Sequence, residues 1–324
     1  MNLGKIGIIF NGGGFAGAFS VGYIKALWGY GIRPAHVQGV SVGALNAAKI
    51  MGTGSSEDLE KIWLDIEKAK ASTVFNWKDI PGNIVRKSGS LYNNKGLLDI
   101  IHKINLSKII NSPTELQIVV CNESKGEKEV FSSHDPIFKK DPGLLKQIIL
   151  ASASIPGILP PVKIGDQQYS DGIYFSLESM IETGCDTIFL FLNDQFTEES
   201  KRWDERLFNM RNFLYEEVIS FRIKEALKEH PDFGLENEDS EGENKFLPPI
   251  LKKIKNIRQQ IRSVASSIVS GDDINFVPHR IIIINTRTPI STLHATGFEP
   301  GDIKAAIEQG YDQASVLLKK LGIN

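Results

Sequence analysis

Short apolar runs alternate with stretches of helical period along most of the 324 residues. The run IGIIF (Ile6–Phe10) predicts a first strand. The pattern from about Gly17 to Tyr30 predicts a helix, stopped by Gly31 and Pro34. HVQGV (His36–Val40) predicts a short second strand. Helices are expected over Ala44–Met51 and over Glu57–Lys70, where Leu59, Ile62, Trp63 and Ile66 fall on one face. LQIVV and EKEVF, split by the turn-like NESKGE, predict a hairpin or adjacent strands. An apolar helix over Leu144–Ala151 ends before IPGILPP. TIFLFL and RIIIIN are apolar throughout, as strands buried on both faces are. A last helix is expected over about Asp302–Lys320. Strands and helices in this alternation give an α/β layered fold, with a mostly parallel central sheet flanked by helices.

Residues 195–277 break the alternation and offer no good strand. Trp203, Leu207, Met210, Leu214, Val218 and Phe221 share one helical face, and so do Ile250, Ile254, Ile257, Ile261, Val264 and Ile268. The segment LENEDSEGEN between them is too polar to pack and reads as a solvated loop. The expectation is a helical insertion or cap within a single domain of residues 1–324, with no internal repeat.

Composition narrows the function classes. The net charge of −2 and pI near 6.3 give no global attraction to nucleic acid. Two cysteines make no disulfide framework, and Cys121 and Cys185, each beside an apolar run, read as thiols on or next to core strands. No apolar run approaches the roughly 18 residues of a membrane span, and the N-terminus lacks signal-peptide order. The simplest reading is a cytoplasmic protein. Its histidines are scattered and its cysteines far apart, so no metal and no organic cofactor is expected.

Three adjacent glycines follow the first strand in NGGGFAGAFSVG. Gly12, Gly14 and Gly17 satisfy the dinucleotide pattern G-x-G-x-x-G. That chemistry also needs an acid about 20 residues on to hold ribose hydroxyls, and the first acidic residue of the chain is Glu57. In its place stands G-x-S-x-G: Gly39, Val40, Ser41, Val42, Gly43. Between a strand and a helix this motif lifts a serine hydroxyl out of a sheet. Beside such a serine, the N–H groups of Gly12, Gly13 and Gly14 suit an oxyanion better than a phosphate. Ser41 needs a base. Of six histidines, His294 would complete the Ser, acid, His chain order of one esterase class. Asp171, in QQYSDGIYFSLE, is a turn carboxylate on spacing alone.

In combination these features resemble the patatin-like phospholipases. The resemblance rests on the loop Gly12–Gly17, the elbow Gly39–Gly43, the segment ASASIPGILPPV (Ala151–Val162), the pair Asp171–Gly172 and the last helix. It implies a Ser–Asp dyad: Ser41 as nucleophile, Asp171 as general base, and Gly12, Gly13 and Gly14 as the oxyanion hole. An Asp at its usual pKa of about 3.9 is a weak base at neutral pH and works better partly desolvated. Two positions depart from the family pattern. Ala16 stands where Arg or Lys is common, and Ile173 where Gly or Ala follows the Asp-Gly.

The implied reaction is cleavage of a carboxylic ester in a lipid, of phospholipase A or lysophospholipase type. The implied partner is a lipid or membrane surface. The basic stretch 250–269, with five Lys or Arg and no acid, suits peripheral contact with an anionic bilayer or packing as a cap. A non-catalytic lipid-binding protein on the same fold and a Ser–His–Asp esterase using His294 stay open. So do lipid class, acyl-chain preference and oligomeric state.

Overall fold

The computed structural model describes residues 2–76, 78–85, 90–193, 223, 229–230, 234–237, 279–286, 290, 292–293 and 297–323. The elements begin with β1 (Ile6–Phe10), a 3₁₀ turn over Gly14–Gly17, α1 (Ala18–Gly29), β2 (His36–Val40), α2 (Val42–Thr53) and α3 (Ser56–Ala69). Three short helices follow: α4 (Asp79–Val85), α5 (Lys95–Ile101) and α6 (Leu106–Ile110). Then come β3 (Glu115–Asn122), β4 (Glu127–Ser132), α7 (Pro136–Lys140), α8 (Pro142–Ser152), β5 (Val162–Ile164) and β6 (Gln167–Asp171). The described chain ends with α9 (Leu177–Ile181), β7 (Thr187–Leu192), β8 (Gly234–Asn237), β9 (Arg280–Asn285) and α10 (Asp302–Lys320).

The nine strands form one mixed, mostly parallel sheet. β1 lies inside it, parallel to β2 on one side and to β7 on the other. β9 and β8 continue the parallel order beyond β7. β3 runs parallel to β2, and β4, β5 and β6 add antiparallel pairings at that end. The apolar strands divide their side chains between two cores, as the period of two requires. Ile8, Phe10, Phe189, Phe191, Ile282 and Ile284 join the larger core, with α1, α2, α8 and α10. Ile9, Ile188, Leu190, Ile281 and Ile283 join the smaller one, with α9. Burial on both faces explains why β7 and β9 carry no polar alternation.

One expectation is corrected. Gly234–Asn237, within the stretch expected to be strandless, forms β8 and pairs with β9 from Gly234↔Arg280 to Asn237↔Ile283. Backbone pairing at the edge of a sheet needs no apolar run, so a pattern of side chains gave no sign of it. The helical faces expected over 203–221 and 250–268 lie outside the described residues.

α1 and α10 cross at unusually short range. A Cβ on Gly22 would lie 2.1 Å from the Ile307 carbonyl oxygen, and one on Gly310 2.4 Å from that of Phe19. Gly310→Ala in an open helix gains about 1 kcal/mol of propensity. Here the clash forces the helices apart, at a typical overpacking cost of about 1–3 kcal/mol. The expected result is a lower thermal midpoint for Gly310→Ala. A rise would mean the two helices are not packed backbone to backbone.

Candidate active site

The elbow is built by steric necessity. Ser41 follows β2 and caps α2, with φ 58° and ψ −133°. A non-glycine residue pays about 1–3 kcal/mol to hold such a conformation, so the surroundings must enforce it. The Ser41 N–H donates to Ser152 Oγ at 3.0 Å, and the Ser152 hydroxyl donates to the Val119 carbonyl at 2.7 Å. A Cβ on Gly39 would sit 2.5 Å from the Gly43 carbonyl oxygen, and one on Gly43 2.1 Å from that of Phe10. Both flanking glycines therefore let α2 lie directly on the strand ends. Ser41 is 7% exposed and stands at the N-terminus of a 12-residue helix whose first turn carries no acid. The positive end of that helix favours negative charge at the serine oxygen.

Strand register brings Asp171 to the same place. β4 occupies one edge of β3 along Gln117–Asn122. On the other edge β2 pairs up to Val40↔Val119, and β6 pairs from Asn122↔Tyr169 to Val120↔Asp171. β2 and β6 run in opposite directions, so their C-terminal ends meet head-on. One residue step of β3, about 3.3 Å, separates the slots filled by Val40 and Asp171. Neither chain can continue, and both turn out of the sheet there. β2 leaves through Ser41, and β6 leaves through Gly172 and Ile173.

The Asp171 turn is as constrained as the serine elbow. Asp171 is 4% exposed; its N–H donates to the Ser154 carbonyl at 2.9 Å, and its Oδ1 accepts the Ile173 N–H at 2.7 Å. A Cβ on Gly172 would approach the Val119 carbonyl oxygen to 2.7 Å. Ile173 has φ 65°, and the Tyr174 N–H closes back on the Gly172 carbonyl at 2.7 Å. This is a γ-turn with a β-branched residue in the left-handed region, a strain of about 1–2 kcal/mol. The side chain at that position, 49% exposed, points to the surface. Ser152 and Ser154, which tie both turns to the end of α8, were missed as site residues. Their only signal was the segment ASAS, in which every second residue is a serine.

The glycine loop follows β1, which ends alongside β2. Gly13 has φ 131° and Gly14 φ 58°. The Ala16 N–H closes onto the Gly13 carbonyl at 3.2 Å and starts the 3₁₀ turn. Among the described residues, the N–H groups of Gly12, Gly13 and Gly14 meet no protein acceptor. Asn46 of α2 holds the end of the turn by donating to the Gly17 carbonyl at 2.9 Å, and its own oxygen accepts the Trp63 N–H at 2.9 Å. Ala16 is buried and brings no charge to the loop.

Gly14 and Ser41 line a cavity of about 640 Å³ including its open mouth. Its walls are apolar, with Leu45, Leu59, Trp63 and Leu97 prominent. On α2 the lining runs from Ser41 through Leu45 to Lys49, roughly 12 Å of helix. At Lys49 the cavity meets an open hollow that also carries Asp58, Lys61, Asp65, Asp99 and Lys103. Burial holds the Lys49 ammonium below its usual range, against the opposing pull of Asp58.

Among the described residues, the pairings of His36 with Glu115, His134 with Ser112 and His279 with Asp186 reach neither Ser41 nor Asp171. His36 pairs with Glu115 at 2.6 Å at the far end of β2, roughly 15 Å from Ser41 by strand length. His102 and His134 are exposed, and His279 lies 3.9 Å from Asp186. His294 lies outside the described residues. Burial pushes both thiols above their usual range, the half-buried Cys121 and the core Cys185 alike, which suits unreactive thiols. Among the described residues no group of acids, histidines or cysteines is placed to hold a metal ion, and no helix is long and apolar enough to cross a membrane.

A comparison with family models matches residues 8–176 to the patatin-like phospholipase family. No curated protein matches the chain. Among solved structures, VipD from Legionella pneumophila superposes with a TM-score of 0.46 at 17% identity, over 98% of this chain and 67% of that one.

Proposed function

Because the chain belongs to the patatin-like phospholipase family, a family of lipid acyl hydrolases, we propose that it cleaves carboxylic esters of lipids through an acyl-enzyme on Ser41, with Asp171 as general base. The observation that carries this reading is the head-on meeting of β2 and β6 on one edge of β3. It delivers a buried carboxylate to the strand end that presents the serine. In the first step the Ser41 oxygen attacks the acyl carbonyl and its proton passes to Asp171. The loop N–H groups of Gly12, Gly13 and Gly14 hold the tetrahedral oxyanion. Asp171 returns the proton to the departing alcohol, leaving the acyl group on Ser41. Water then attacks this ester, Asp171 takes its proton, and the fatty acid is released as the serine is restored.

The apolar cavity beside Ser41 suits the acyl chain, and its charged outer hollow suits the polar or hydrated side of a lipid. The proposed form is phospholipase A or lysophospholipase chemistry. Peripheral binding at a cytoplasmic membrane surface belongs to the same proposal. The test is fatty-acid release from vesicles of phosphatidylcholine, phosphatidylglycerol and lysophosphatidylcholine. Wild type is expected to release fatty acid from at least one; no release from any would favour a non-catalytic lipid-binding protein.

Acyl-chain preference gives a second measurement. Leu45→Trp is expected to fill the cavity about three methylenes short of its natural depth. At about 0.8 kcal/mol per methylene, kcat/KM for a twelve-carbon ester falls about 50-fold, and that for a four-carbon ester changes little. An equal fall at both lengths would mean that the acyl chain lies elsewhere.

A further inference from the structure

Asn193 follows β7, a strand adjacent to β1, and is fully buried. Its Nδ2 donates to two consecutive carbonyls of the glycine loop, Asn11 and Gly12, both at 3.1 Å. Its Oδ1 accepts the Ser20 hydroxyl from α1 at 2.6 Å. Two carbonyl acceptors require the amide nitrogen on the loop side, and the hydroxyl donor fits the oxygen on the other, so the amide has one orientation. In a trans peptide the C=O and N–H point in opposite directions, and the protein has no cis bonds among the described residues. The Asn11 carbonyl shares its peptide plane with the Gly12 N–H, and the Gly12 carbonyl shares its plane with the Gly13 N–H. Fixing both oxygens on Asn193 therefore turns both N–H groups to the opposite side of the loop.

We propose that Asn193, held by Ser20, is the positioning residue of the oxyanion loop: its amide clamps two adjacent peptides so that the Gly12 and Gly13 N–H groups are aimed before substrate arrives. This rests on the ester-hydrolase reading of Ser41. The loop lacks the basic side chain at Ala16 that the family pattern often carries, and its glycines have few conformational restraints of their own. Clamping from behind supplies the order that a charge in front does not. The clamp stabilises the oxyanion and leaves the ground-state ester nearly untouched, so it acts on kcat.

The test compares wild type, Asn193→Ala, Asn193→Asp and Ser20→Ala on a soluble four-carbon ester. A trifluoromethyl ketone serves as tetrahedral analogue, and decanoic acid as ground-state ligand. Asn193→Asp keeps the volume and replaces the donor by an acceptor. Asn193→Ala and Asn193→Asp are expected to lose about 10²–10³-fold in kcat with KM within about threefold. Affinity for the ketone falls by the same factor, and affinity for decanoic acid holds. Ser20→Ala, a milder change in case the asparagine variants do not fold, moves kcat and ketone affinity the same way by about tenfold or less. Folded variants with unchanged kcat and ketone affinity would overturn the positioning role and leave the hydrolase reading standing. So would a loss confined to the titratable fraction of sites, since that is fold damage. A wild type that neither cleaves the ester nor binds the ketone would overturn the hydrolase reading, and the positioning role with it.

Discussion

Ser41→Ala is expected to lower fatty-acid release about 10⁴-fold or more while leaving the fold intact. The size follows from losing the nucleophile, whose removal in serine hydrolases leaves only what binding and the oxyanion site supply. The fold survives because, among the described residues, no framework bond uses the hydroxyl. The elbow is held by the Ser41 N–H on Ser152 and by the Ala44 N–H on the Ser41 carbonyl, both backbone contacts that alanine retains. Ser41→Gly is the informative companion. Glycine adopts φ 58° without penalty, so this variant should be equally inactive yet more stable by about 1 kcal/mol. Activity and thermal midpoint would then move in opposite directions, the signature of strain held at a working residue. Release that persists in folded Ser41→Ala protein would mean that the nucleophile is another residue.

Asp171→Asn is expected to cost about 10³–10⁴-fold in the same assay. The amide matches the carboxylate in shape and can still accept the Ile173 N–H through its oxygen, so the γ-turn and the β3–β6 pairing remain. What disappears is the ability to take the serine proton. The measurement is kcat together with the rate of covalent labelling by an alkyl fluorophosphonate, a reagent that also needs an activated serine. Both should collapse in parallel. If labelling stayed fast while turnover fell, Asp171 would serve only the water step. If both stayed fast, another base would be present, and His294→Ala would then become the decisive variant.

The legible parts of the fold were those fixed by local chemistry. β1, β2, β7, β9 and α10 emerge with the bounds the pattern predicts, because the strands are short runs buried on both faces and α10 buries one helical face along its whole length. Both site turns were readable for a similar reason: glycines at 39, 43 and 172 stand where a Cβ would strike backbone. The helices α4, α5 and α6 are five to seven residues long, too short for a period to stand out. β8 escaped because its pairing is backbone to backbone. The head-on meeting of β2 and β6 was also out of reach. It depends on β3 sharing one edge between two strands separated by more than 120 residues, and no local pattern encodes that register. Ile173 shows the opposite case. As a departure from the family pattern it looked like a chemical question, and the structure makes it a conformational one, a strained turn beside an intact carboxylate.

The placement of β7 beside β1 has a consequence for the order of events at the ribosome. By residue 176, where the family match ends, a nascent chain already carries Ser41, Asp171 and the whole glycine loop. It still lacks Thr187–Leu192, the strand that closes the second edge of β1, and the amide at 193 that grips the loop. The proposed nucleophile and base are thus made early, and the amide that grips the glycine loop comes late. On the proposed reading, the Gly12 and Gly13 N–H groups stay unaimed until β7 has been translated and docked against β1.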